Sequence, residues 1–577
     1  MSTRRGVWIL VLLFTVVGGL VLFAAIRLRG GPAPVPASTV LVFDVPSDLQ
    51  ESEVPLEPFS FDFTRFSRTT LYGVVRALDD AASDDRVAAL VLHIDGIDWG
   101  WAKIGEVRDA LQRFRASGKP VYASMPGGGE SEYFLASVAT RVSMPPTAML
   151  QLDGLTASAL FLKGSLDKLD IRPNFEHAGR FKSAVESYTR SDMSPEHRLA
   201  LDGLLDDQFT LLVDSLASAR GMSPDSMRAR LDEGPFLADQ ARSRGLLDTL
   251  LDHPETDSLA MRDVGHDATR LSLAKYAERK SAGHTGPHLA LITATGTIFG
   301  GKSRFVPGEG RVMGSETMIE ALRDARTDHS IKAVVLRIDS PGGDVTASDD
   351  VWREVRRCRA AKPVIVSMSD VAASGGYYIA CAADRIVAQP GTLTGSIGVF
   401  GGKLNLIGLY HKLGINVETV SRGRHAGMMS PFRDFSPEEA QRFRDGIEHS
   451  YQRFLSRVSE GRRLTVAMVD SVGQGRVWSG QAAHRLGLVD TLGGLREAFA
   501  VALEKSGYSA DQEFVVERLP RVEHPFIERV VSRWIDRDDD ARVSEAPFSE
   551  VIQAWITAAR FPSGAMLALM PYSIEIR

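Results

Sequence analysis

The sequence predicts an α/β protein: one parallel-sheet domain duplicated in tandem behind a single N-terminal membrane helix. Three observations carry this. The run ALDDAASDDRVAALVLHID, ending at Asp95, returns as ALRDARTDHSIKAVVLRID, ending at Asp339, 244 residues later. Apolar β-branched runs alternate with helical patterns in both copies, as strands buried on two faces do. Residues 6–26 (GVWILVLLFTVVGGLVLFAAI) carry no charge and are long enough to cross a bilayer as a helix.

The duplication covers whole domains. Lys119-Pro120-Val121 returns as Lys362-Pro363-Val364, Ser194-Pro195-Glu196 as Ser436-Pro437-Glu438, and Gly245–Leu250 as Gly487–Leu492. A period near 240 residues is far too long for a solenoid repeat, and each copy can bury its own core. The boundaries read as 6–26 for the anchor, 38–270 and 286–510 for the two domains, and 511–577 for a C-terminal extension. The net charge of −6 leaves no basic footprint for nucleic acid. Cys358 and Cys381 lack metal-ligand spacing and read as free thiols.

In chain order, Arg4 and Arg5 precede the apolar run and Arg27 and Arg29 follow it, so charge only mildly favours a cytoplasmic N-terminus. The run is longer than the core of a cleaved signal peptide. Gly30–Pro36 is a linker. Each copy opens on an apolar strand, at Thr39–Phe43 and at Leu289–Ile292. A helix follows, then a buried strand (Ala89–Ile94; Val334–Ile338), a second helix, and a strand after Lys-Pro (Val121–Ser124; Val364–Ser367). Ser-Pro-Glu then starts a long helix, at Ser194–Arg220 and at Ser436–Arg462, with an N-cap, a proline at N1 and an acid in the first turn. From about Glu513 the chain has no evident counterpart in the first copy. That tail holds two helix-like pieces, Phe526–Ile535 and Phe548–Ala559. Its apolar end, Met566–Tyr572, is too short to span a membrane and suited to packing on the second domain or a neighbouring subunit.

The differences between the copies locate the chemistry. In the second copy the strand ending at Asp339 runs into Ser340-Pro341-Gly342-Gly343-Asp344, whose glycines let backbone N–H groups approach an oxyanion. The first copy has Gly96-Ile97-Asp98-Trp99-Gly100 there. The next strand leads to Ala373-Ser374-Gly375-Gly376, a serine on a sharp glycine-rich turn before a helix. In the first copy either Glu130 or Ser131 falls opposite Ser374, depending on the alignment. A serine nucleophile needs a base. No histidine sits in comparable surroundings, and the alternative is a lysine made neutral by burial. Lys182, in Gly-Arg-Phe-Lys-Ser-Ala-Val-Glu, maps onto Arg424, which cannot serve as a base. One copy thus keeps the serine and the other the lysine.

The strings SPGGDVTAS, DVAASGGYYIA, TLTGSIGVFGG and GRFKSAVESYTR, in a tandem repeat behind one membrane anchor, resemble long-form bacterial signal peptide peptidase A (protease IV). The resemblance covers nearly the whole chain. It implies domains of the ClpP/crotonase type and a Ser–Lys dyad serine endopeptidase with no metal or cofactor. It matches Ser374 to the nucleophile, Lys182 to the general base and Ser396 to the residue that orients the lysine. It matches Gly342 or Gly343, together with Gly375, to the oxyanion hole. It further implies a homotetramer on the periplasmic side of the bacterial inner membrane. Its substrates would be remnant signal peptides and other extended apolar peptides in or near the bilayer.

One competing pattern is present. Gly296–Ser303 (GTIFGGKS) fits the P-loop spacing, but a phosphate cradle needs a helix starting at Lys302-Ser303. Arg304-Phe-Val-Pro-Gly-Glu-Gly follows, so a nucleotide site is not expected.

Overall fold

The computed structural model describes residues 34–52, 70–280, 284–306, 310–520 and 566–570. The anchor expected at 6–26 and the helix-like pieces at 526–535 and 548–559 lie outside them. Among the described residues no helix is long and apolar enough to cross a membrane.

Each repeat builds a parallel sheet with the same strand order. In the first it runs Arg141–Ser143, Val121–Ser124, Val87–Ile94, Thr39–Val45, Thr269–Ser272. In the second, Arg385–Ala388, Val364–Ala373, Ile331–Ser340, His288–Thr295 and Val515–Leu519 follow the same order. Side chains on successive strand residues face opposite sides. Leu90, Leu92 and Ile94 therefore enter one core while Ala89 and Val91 enter another, and Val334, Leu336 and Ile338 part from Ala333 and Val335 in the same way. Both faces are covered, which is why these strands read as unbroken apolar runs.

The second domain does not end at 510. Val515–Leu519 pairs in parallel with His288–Thr295, just as Thr269–Ser272 pairs with Thr39–Val45. It is the counterpart of the first repeat's edge strand and belongs to the repeat. The two edge strands share little sequence, because an edge strand is held through backbone bonds on one side only.

Several repeated motifs are structural. Lys119 Nζ donates to the carbonyls of Ala81 and Asp84 at 2.8 and 2.7 Å, closing the end of the helix Leu71–Ser83. Lys362 Nζ does the same for Ala325 and Asp328 after Ser315–Thr327. A cation on the last carbonyls of a helix satisfies acceptors with no partner within the helix. Ser194 Oγ accepts from His197 N and Ser436 Oγ from Glu439 N, starting the helices Pro195–Arg220 and Pro437–Arg462. Asp248 and Asp490 each accept a strand N–H, from Val142 and Ile386, at 2.7 Å.

A third sheet joins the repeats. Its order is Arg304–Val306, Gly310–Gly314, Thr297–Phe299, Gly342–Asp344, Met566–Leu569, Val399–Asn405, Arg172–Ala178. The last two strands pair antiparallel from Val399↔Ala178 to Asn405↔Arg172. A first-repeat strand is thereby fixed in register on the second repeat, and its C-terminal end leads directly to Lys182.

Candidate active site

Ser374 closes the strand Val364–Ala373 and precedes the helix Gly375–Ala380. Its backbone stands at φ 53°, ψ −112°, a sparsely populated conformation for a residue with a Cβ. The turn is held because Ser374 N donates to Gly395 O at 2.9 Å and Tyr378 N to Ser374 O at 2.8 Å. The Gly375 N–H is the first of the helix and by position has no intrahelical acceptor.

Lys182 enters from the first repeat. Past Ala178 the chain turns at Gly179 (φ 102°), and Phe181 N donates to Gln474 O at 2.7 Å, a bond between repeats. Gly475 (φ 80°) passes so close that a Cβ there would lie 2.6 Å from Lys182 Cβ. The lysine is wholly buried, 1 % exposed. Its Nζ lies 2.8 Å from Ser374 Oγ, 2.9 Å from Ser396 Oγ and 3.0 Å from Ser396 O. Lys182 Nζ donates to both Ser396 oxygens and is in hydrogen-bond contact with Ser374 Oγ, whose O–H can donate to the amine once it is neutral. Among the described residues no carboxylate pairs with it. Burial alone drives the amine well below the ordinary lysine range, as unpaired burial does. Ser396 is itself held at φ 51° by donation from its N to Arg476 O at 2.7 Å. Among the described residues no histidine reaches Ser374.

The glycine turn lies on the other side of Ser374. Gly342 N donates to Ser340 Oγ at 3.2 Å, and Ser340 Oγ donates to Gly296 O at 2.7 Å. The Gly342 N–H is therefore engaged, and Gly343 N is the one that faces Gly375: a Cβ at Gly375 would lie 3.1 Å from it. Gly342 shapes the turn at φ 102° with its N–H engaged, and buried Gly343 carries the N–H beside Gly375. All six residues singled out in the sequence thus converge at one place.

The corresponding place in the first repeat is sealed. Tyr133 and Tyr377 donate to the equivalent carbonyls of Leu246 and Leu488, at 2.7 and 2.9 Å, and fix the alignment. Glu130, rather than Ser131, then stands opposite Ser374, and its Oε1 accepts from Asp153 N and Gly154 N at 2.8 Å. Arg424, opposite Lys182, lies at the surface beside Glu438. At the P-loop-like stretch Lys302 is exposed between the strands Thr297–Phe299 and Arg304–Val306, and the next helix begins at Ser315. Cys358 and Cys381 are buried free thiols, pushed up by burial to about 11 and 12. Among the described residues no cluster could hold a metal.

Sequence reasoning missed the supports. Gln474 and Gly475, which seat the lysine turn, show only as a Gly-Gln-Gly loop. It also missed Lys103, whose Nζ bridges Asp339 and Asp370 at 2.8 and 3.4 Å beneath the glycine turn. A lone lysine inside a helix gives no sign of such a role.

The sequence model of peptidase family S49 matches residues 113–265 and 356–509, one match in each repeat. "Serine protease SPPA, chloroplastic" of Arabidopsis thaliana is 37 % identical over 451 residues, covering 76 % of this chain and 66 % of that protein. "Protease 4" of Salmonella typhi is 34 % identical over 461 residues, covering 77 % and 74 %. "Protease 4" of Haemophilus influenzae is 32 % identical over 499 residues, covering 82 % and 78 %. With two matched domains, relatives of this kind along most of its length and a buried serine–lysine pair between the repeats, the chain belongs to peptidase family S49 and is a serine peptidase.

Proposed function

We propose that this is a membrane-anchored endopeptidase that cuts extended apolar peptides, remnant signal peptides among them, with a Ser374–Lys182 dyad shared between the repeats. The observation that carries it is the 2.8 Å contact between the wholly buried Lys182 amine, whose charged form burial disfavours, and Ser374 Oγ. In the acylation step Ser374 Oγ attacks the peptide carbonyl as its proton passes to Lys182. Ser396 orients the amine through the two bonds it accepts. The Gly343 and Gly375 N–H groups stabilise the oxyanion. Lys182 returns the proton to the leaving amine, then activates the water that hydrolyses the ester.

Between the strands Gly342–Asp344 and Val399–Asn405 the apolar segment Met566–Leu569 pairs through its backbone on both sides, as an extended peptide would. This supports an apolar strand-like substrate with small side chains near the cut. The ClpP/crotonase-like character of each repeat and the homotetramer belong to the same reading, with residues 6–26 in the bacterial inner membrane and the repeats on its periplasmic side. The test is hydrolysis of a soluble apolar peptide together with labelling by a serine-directed probe. Both should be lost in Ser374→Ala, and hydrolysis in Lys182→Ala. Undiminished hydrolysis by Ser374→Ala would overturn the assignment. Retention in a membrane fraction, lost on deleting residues 1–33, tests the anchor.

A further inference from the structure

Lys182 is supported on one side by the loop at Gln474 and Gly475. On its other side the chain passes through Ser183–Val185 into the short helix Glu186–Thr189, and there Glu186 binds the start of the next helix. Its Oε1 accepts from Ser194 Oγ at 2.6 Å, and its Oε2 accepts from Ser194 N and from His197 Nδ1, both at 3.1 Å. Ser194 is the N-cap of the helix Pro195–Arg220. Burial alone would raise the Glu186 carboxyl, but the bonds from His197 and Ser194 hold it below the ordinary glutamate range. The group that accepts all three bonds is therefore an ionised carboxylate, the stronger kind of acceptor.

The matching helix of the second repeat is capped differently. Ser436 N donates at 2.9 Å to Glu439, the third residue of its own helix, in a capping box. Aligned as Ser194 is with Ser436, Glu439 corresponds to His197, and Met428 to Glu186. The first repeat thus lacks the helix's own capping carboxylate and takes one from the segment that carries the lysine. The helix so tied is itself seated on the nucleophile's repeat. Gln208 Nε2 donates to Gly391 O at 2.8 Å, Asp207 accepts from Ser479 Oγ, and Leu204 packs against Ala373, the residue before Ser374.

We infer that Glu186 is a positioning residue for the base: it fixes the segment after Lys182 to the long helix and so sets the amine against Ser374 Oγ. The inference rests on the peptidase reading above. Glu186 acts through Ser183, Ala184 and Val185, all buried, and not on the reacting atoms. Only the repeat that delivers the lysine has this tie, since a methionine at the matching place offers no carboxylate. A segment released at Glu186 lets water reach the amine, and a solvated amine returns toward the ordinary lysine range. Loss of the tie therefore changes two things together, the fraction of neutral base and its distance from the serine.

The test measures kcat, KM and the pH–rate profile of the full chain on a soluble apolar peptide, beside chemical denaturation. Glu186→Ala should lose at least about tenfold in kcat with KM held within about twofold, as displacement of a catalytic group does. The ionisation assigned to Lys182 should move up by about one pH unit or more. Adding His197→Glu to Glu186→Ala supplies a capping box of the kind Ser436 and Glu439 form. It should return stability and leave kcat and the raised ionisation where they were. Where Glu186→Ala does not fold, Glu186→Gln is read by the same two measures. An unmoved ionisation, or a kcat loss smaller than about tenfold, overturns the inference. So does recovery of kcat by the added His197→Glu, which would make Glu186 a helix cap alone. A wild-type chain that hydrolyses nothing overturns the peptidase reading itself.

Discussion

In the proposed mechanism Lys182 is the base, and burial favours the neutral amine that this role needs. Lys182→Arg should therefore be as inactive as Lys182→Ala, with a loss of about 10²-fold or more in kcat, since arginine stays charged. Retention of more than about a tenth of the rate would make the lysine structural. The catalytic rate should climb with pH through one ionisation well below the ordinary 10.5 of lysine, because only the neutral amine accepts a proton. The same residue makes a stability prediction. Its folded value is depressed, so as pH falls below 10.5 the unfolded chain gains a proton that the folded one refuses. Stability falls until the folded value is reached, by about 1.4 kcal/mol per unit. Lys182→Met should be free of this slope, which paired denaturation curves across the alkaline range will show. His93 supplies an opposing term. Burial alone would lower it, but Asp257 and Asp44 on its two ring nitrogens hold it at about 9. Its stabilisation is complete below about 6.5 and is lost as pH rises through 9. Stability must therefore be followed beside rate.

Among the elements, those that report their own chemistry were legible in the sequence. The long helices showed their Ser-Pro-Glu starts, and the buried strands their unbroken apolar runs. The serine and lysine were visible because each survives in one copy only. What the sequence did not show were features defined by what they touch. Val515–Leu519 resembles its first-repeat partner in place and not in residues. The Gly-Gln-Gly loop matters only because the lysine turn lies against it. That loop gives a sharp test: Gly475→Ala would put a Cβ 2.5 Å from Lys182 N at a φ that disfavours alanine. The protein should fold with an unchanged far-ultraviolet spectrum and lose at least about tenfold in kcat. An unaffected kcat would mean the turn is not held there.

At the scale of the molecule, the repeats are locked by buried charge. Arg337, 1 % exposed, holds Glu51 at 3.0 Å and Glu106 at 2.9 Å. Burial pushes Glu106 up to about 6 although Arg337 pulls it down. Lys103 crosses from the first repeat to Asp339 and Asp370 of the second, and although burial opposes its charge those carboxylates keep it protonated. Removing one member strands the others: Lys103→Met should cost about 3–5 kcal/mol by chemical denaturation, and should lower activity through the glycine turn that follows Asp339. Because serine and lysine come from different repeats, the second repeat expressed alone from residue 286 should hydrolyse nothing. Activity from that fragment would require a base other than Lys182.

Glu130 fills the first repeat's nucleophile position and binds Asp153 N and Gly154 N with its own carboxylate. The duplicated chain thus carries two folds and one working centre. Its stoichiometry follows: a covalent serine reagent should stop at one equivalent per polypeptide, however many chains assemble. Two separate copies of an undiverged repeat would have offered two. The first repeat, with Glu130 in place of a nucleophile, acts as a holder, and in the proposed mechanism its contribution is the lysine it delivers.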